Sequence, residues 1–128
     1  MTRQMSFKMH QKEVEPRYRT QIDAAESTED VRKFFERTIL DFLRRALGDQ
    51  VELQAGDVTF DPYKDPGYAL SQRIRDNENF RQAEGGSDLA QIMRLLSGRA
   101  QNRYKYLSSR HPDKTEVKIF QVPGPRSH

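Results

Sequence analysis

Three aspartates, Asp57, Asp61 and Asp65, recur every four residues in the middle of this chain, and carboxylates repeated at that interval are the first place to look for metal binding or acid–base chemistry. Pro62 falls between them, so they cannot line one helix, and the spacing is not that of a calcium loop. Turn and cap roles suit them better. The three histidines are His10, His111 and His128, and none has a His, Asp or Glu at metal-ligand spacing. There is no HExxH, GxSxG or P-loop sequence. "EGGSD" (84–88) has the glycines of an anion-binding nest, but Asp88 at its mouth would repel phosphate. A loop followed by a helix cap is the stronger reading. With no cysteine in the chain, disulfides, thiolate zinc sites and cysteine nucleophiles are excluded. The expectation is therefore no enzyme, no cofactor and no metal.

The second place to look is "RYKYLSSRHPDK" (103–114), a basic, tyrosine-bearing helical stretch ending in His111-Pro112-Asp113. That ending resembles the signature tripeptide of J-domain co-chaperones, with Tyr104 and Leu107 at matching apolar positions and Lys114 following. The resemblance spans Arg103 to Lys114 and implies a loop that stimulates a partner chaperone's ATPase. A J-domain carries a second long amphipathic helix beyond the tripeptide, whereas the residues here read as a strand, "TEVKIFQV" (115–122), and a tail. The preferred reading is that His111 and Pro112 end a helix, since the residue before proline avoids helical backbone.

The same helix carries a candidate anionic-partner or nucleic-acid site. Arg99, Arg103, Tyr106 and Arg110 follow one another at steps of four, three and four, which places them on one face, and Lys105 adds charge nearby. Guanidinium groups meet phosphates, and a tyrosine can stack on a base. No RNP signature, zinc finger or helix-turn-helix accompanies them, and the net charge of +3 is mild. That charge is uneven: residues 1–63 hold ten Lys/Arg against twelve Asp/Glu, residues 64–128 twelve against seven.

These groups need elements to position them. "STEDVRKFFERTILDFLRRALG" opens with the Ser27-x-x-Asp30 capping variant and closes on Gly48. Between them, Val31, Phe34, Phe35, Ile39, Phe42, Leu43 and Leu47 form a broad apolar stripe at helical spacing, so residues 28–47 should be the core helix. Phe34, Phe35, Ile39 and Phe42 offer more width than one short helix covers, which marks them as a candidate partner or dimer face. Ser87 should cap a last helix over 88–109 that packs against the central one, with Gly98 at a close crossing. A short helix is expected from Pro16 to about Glu26, and another near 67–75. "VELQ" (51–54) and "DVTFD" (57–61) alternate like a small hairpin. Met5, Phe7 and Met9 alternate as a weak edge strand, and "RDNENFRQAEGGS" reads as a polar loop.

Hydrophobic residues make up 34% of the 128-residue chain and charged ones 32%, a polar balance that twelve aromatics keep away from wholesale disorder. The expected fold is mainly α, a compact four-helix domain over 15–122 with short β-hairpin or strand additions. Enough β segments would make it α+β. Residues 1–14 and 123–128 are expected to be tails. The N-terminus has no apolar h-region and no run is long enough to span a bilayer, so a soluble cytoplasmic protein is expected. The functional expectation is a small protein-interaction module acting through a helical surface, on an unknown protein partner or a second copy. The alternative is nucleic-acid binding by the basic helix 94–110.

Overall fold

A computed structural model describes residues 6–110. The fold is mainly α with a small antiparallel pair of strands. Its elements in order are α1 (Lys8–Ala24), α2 (Thr28–Leu47), a 3-10 turn (Gly48–Gln50), β1 (Val58–Phe60), β2 (Tyr68–Leu70), α3 (Gln72–Arg75), α4 (Glu78–Gly85) and α5 (Leu89–Arg110).

The central helix forms where its stripe and caps place it. Ser27 Oγ accepts the Asp30 N–H at 3.1 Å, and Val31, Phe35, Ile39, Phe42 and Leu43 are all fully buried. Helices α1 and α5 both pack on it and on each other. The hydroxyl of Tyr18 on α1 donates to the Leu96 carbonyl of α5, and burial pushes that phenol far above its ordinary range. The side chain of Asp88, just before α5, accepts from the Phe7 N–H at 2.8 Å and the Ser6 hydroxyl at 2.9 Å. It thus caps the start of α1 across 81 residues of sequence.

Several local expectations are corrected. Residues 8–14 are the first turns of α1, neither a tail nor an edge strand, because Phe7 and Val14 continue the buried row of Tyr18, Ile22 and Ala25. Pro16 therefore lies inside a helix, on its exposed side, and core burial outweighs the lost backbone hydrogen bond. Residues 51–54 form no strand. The hairpin pairs β1 with β2 instead, Val58 opposite Leu70 and Phe60 opposite Tyr68. The helix expected at 67–75 shrinks to α3, capped by Ser71, and the expected polar loop contains α4, whose N-cap Asn77 accepts the Phe80 N–H at 2.9 Å while Phe80 is buried. Five α-helices therefore stand among the described residues where four were expected.

Asp57 explains why the hairpin closes as it does. Its carboxylate accepts from the Gln54 N–H at 2.7 Å, from the Ser71 hydroxyl at 2.7 Å and from the Arg73 guanidinium. Burial by itself would raise its pKa, but those hydrogen bonds and the Arg73 charge outweigh it and hold the carboxyl below its usual range. The free edge of β1 is covered by α2. Arg32 donates to the Phe60 carbonyl at 3.1 Å, and Glu36 accepts the Phe60 N–H at 2.8 Å. Behind this hairpin, the Phe60 ring lies 5.2 Å from Phe35 and 5.8 Å from Tyr104, tying α2, the hairpin and α5 together.

Gly67 sits tightly against the Ser97 side chain of α5. Its φ of 103° suits glycine, and a Cβ there would come within 2.5 Å of Ser97 Oγ. Gly98, by contrast, faces open space, so the close helix crossing expected there does not occur among the described residues.

Candidate interaction surface

The basic residues of α5 come together with α1 rather than standing alone. Arg99, Arg103 and Tyr106 line a groove of about 620 Å³ with Leu95, Gly98 and Asn102 on α5, and with Glu15 and Asp23 on α1. One wall is cationic and the other anionic. Arg99 donates to the Asp23 carboxylate at 3.3 Å. Arg103 donates to the Ala25 carbonyl at 2.8 Å, satisfying the end of α1, and its guanidinium lies 5.0 Å above the Tyr106 ring. Its Nε is buried with no hydrogen-bond partner among the described residues.

Two of the proposed phosphate-binding arginines are thus engaged in holding α1 and α5 together. Lys105 is exposed but lies outside the groove lining. Arg110 is the last residue of α5. His111, Asp113 and the segment 115–122 lie outside the described residues, as do Met5 and the expected tail 123–128.

The candidate partner face on α2 is corrected. Phe35, Ile39 and Phe42 have 0% exposure, and Phe34 is half-buried against the same core. The width of that stripe is taken up by the flanking α1, α5 and β1, so Phe35, Ile39 and Phe42 belong to the core.

Met9 and Tyr63 are exposed singly, whereas two exposed apolar residues share one face of α5. Leu95 is 60% exposed and Tyr106 44% exposed, with Gly98 and Asn102 between them on one face. Sequence reasoning missed this ridge because Leu95 sits next to the buried Leu96 in an apolar run. The spacing Leu95, Gly98, Asn102, Tyr106 (steps of three, four and four) was the available signal.

The histidine and aspartate candidates do not converge. His10 pairs with Glu13 at 3.3 Å on the surface of α1, Asp61 accepts the N–H groups of Tyr63 and Lys64, and Asp65 pairs with Arg94 at 3.1 Å. Among the described residues, no group of three or more His, Cys, Asp or Glu could hold a metal ion. No helix among them is long and apolar enough to cross a membrane. The chain matches no known protein family, no curated protein and no solved structure.

Proposed function

We propose that this chain is a non-enzymatic interaction module that binds a helix of a partner protein along the α1–α5 groove. The observation that carries the reading is the exposed Leu95–Gly98–Asn102–Tyr106 ridge beside that groove. Leu95 and Tyr106 supply apolar contact, and the missing side chain of Gly98 lets another backbone come close. The Arg99–Asp23 pair and the Arg103 bond to the Ala25 carbonyl hold the two sides of the groove in place beneath the incoming helix.

Two variants test it. Leu95→Glu places a charge on the ridge, while Gly98→Gln fills the open space and improves helix propensity. Both should lose the same partner from affinity capture, with thermal stability undiminished in the second. A partner set that neither variant changes sinks the reading.

Nucleic-acid binding is the second reading, favoured by the one groove that Arg99, Arg103 and Tyr106 share. Anisotropy with labelled single-stranded RNA and duplex DNA, at low and moderate salt, separates the two. Salt-sensitive binding lost in an Arg99/Arg103/Arg110→Ala variant favours nucleic acid, because phosphate contacts release counterions and apolar ones do not.

A further inference from the structure

Among the described residues the outer edge of β2 is open, and its open state follows from the register. Ser71 donates its N–H to the Asp57 carbonyl, and Asp61 donates to the Gly67 carbonyl. Antiparallel pairing alternates, so Thr59 and Ala69 bond each other, while the backbone groups of Tyr68 and Leu70 point away from β1. Of these outward groups, the Leu70 carbonyl accepts from Arg75 Nε at 3.2 Å. The Tyr68 N–H, the Tyr68 carbonyl and the Leu70 N–H have no partner among the described residues. Opposite Tyr68 on β1, Arg32 and Glu36 close both outward groups of Phe60.

A trough lies along this open edge. One part, about 630 Å³, is floored by Tyr68, Leu70 and Phe80 and rimmed by Arg75 and Arg81. A second, about 430 Å³, continues past Tyr68 and Glu84 to Arg94. Arg94 is already paired with Asp65, so Arg75 and Arg81 against Glu84 leave the lining with a small cationic excess at the Arg75–Arg81 end.

We infer that β2 takes up an extended, carboxylate-bearing peptide segment of a partner protein as a third strand. The partner's backbone meets the open Tyr68 and Leu70 groups, one apolar side chain rests on Tyr68 and Leu70, and a carboxylate meets Arg75 or Arg81. Strand addition needs a row of unpaired backbone groups, and the charge of the rim selects among extended segments. This site is separate from the α1–α5 groove, which shares none of its lining residues.

The test uses labelled eight-residue peptides in which Val alternates with Glu, Thr or Lys, titrated against the full chain by anisotropy. The Val/Glu peptide should bind at least about fivefold tighter than the Val/Lys peptide, and Arg81→Glu should remove that preference. In the complex, amide hydrogen exchange should slow at Tyr68 and Leu70 and stay unchanged at Ala69, which is already bonded. A Val/Glu peptide N-methylated at alternate residues should not bind. Unchanged exchange at Tyr68 and Leu70 with peptide at about 1 mM overturns the inference, since strand additions of any use bind more tightly than that. Equal binding of the Glu and Lys peptides, or of the N-methylated one, overturns it too. Gly98→Gln should retain peptide binding, so failure at this edge and failure at the α5 ridge are distinguishable.

Discussion

Replacing Asp57 by Asn asks whether one carboxylate organises the hairpin. The side chain is 7% exposed and accepts from three groups, the Gln54 N–H, the Ser71 hydroxyl and the Arg73 guanidinium. Asn keeps one acceptor oxygen but turns the other position into an N–H donor. That donor would face either the Ser71 hydroxyl, whose O–H then loses its acceptor, or the Gln54 N–H and Arg73 guanidinium. Losing a charge-assisted hydrogen bond and leaving a donor unmatched costs about 2–3 kcal/mol. The Arg73 contribution to that figure is small, because its side chain is 45% exposed and solvent screens it. For a domain of this size the expected fall in Tm is about 8–12 °C. The pH dependence has a definite sign. The folded-state pKa is depressed, so the stabilisation is fully present above the unfolded carboxyl value of about 3.9 and is lost as pH falls through the folded value. Urea unfolding of both proteins from pH 7 to pH 2.5 checks this. The gap between them should be constant above about pH 5 and should narrow below about pH 4. A gap under about 0.5 kcal/mol at pH 7, or one that persists unchanged into acid, would refute the reasoning.

Gly67→Ala forces a Cβ into Ser97 at a positive φ and should cost at least about 2 kcal/mol, whereas Gly56→Ala, at φ 97° with open space around it, should cost only about 1 kcal/mol. Thermal melts of the pair check the difference, and equal losses would show that the contact with Ser97 is relaxed. Tyr18→Phe removes the hydrogen bond to the Leu96 carbonyl while keeping the ring, so a loss of about 1 kcal/mol is expected in denaturant unfolding. Phe35→Ala should cost about 3–5 kcal/mol and Phe34→Ala clearly less, because the first side chain is fully buried and the second is not. Equal costs would contradict the orientation of α2 described above.

Long-period patterns were readable without the fold. The α2 stripe and its Ser27 cap, and the α5 row from Leu89 to Leu107, mark long helices because each recurs over many turns and one buried face decides the outcome. Sequence also carried the mainly α class. What it could not carry were contacts between distant segments. Pro16 looks like a helix start until Val14 and Phe7 prove to be buried, and the start of α1 is tied to Asp88, 81 residues further along the chain. Two neighbouring strand-like runs, 51–54 and 57–61, suggest a local hairpin. Asp57 instead ties Gln54, Ser71 and Arg73 together and pairs 58–60 with 68–70. The same holds for the functional surfaces. Composition identifies Arg99 and Arg103 as cations, but only their neighbours reveal that Asp23 and the Ala25 carbonyl already engage them. An apolar run makes Leu95 and Leu96 look alike. Tertiary packing buries one and leaves the other on the surface, because a helix turns 100° per residue and the core lies on one side only.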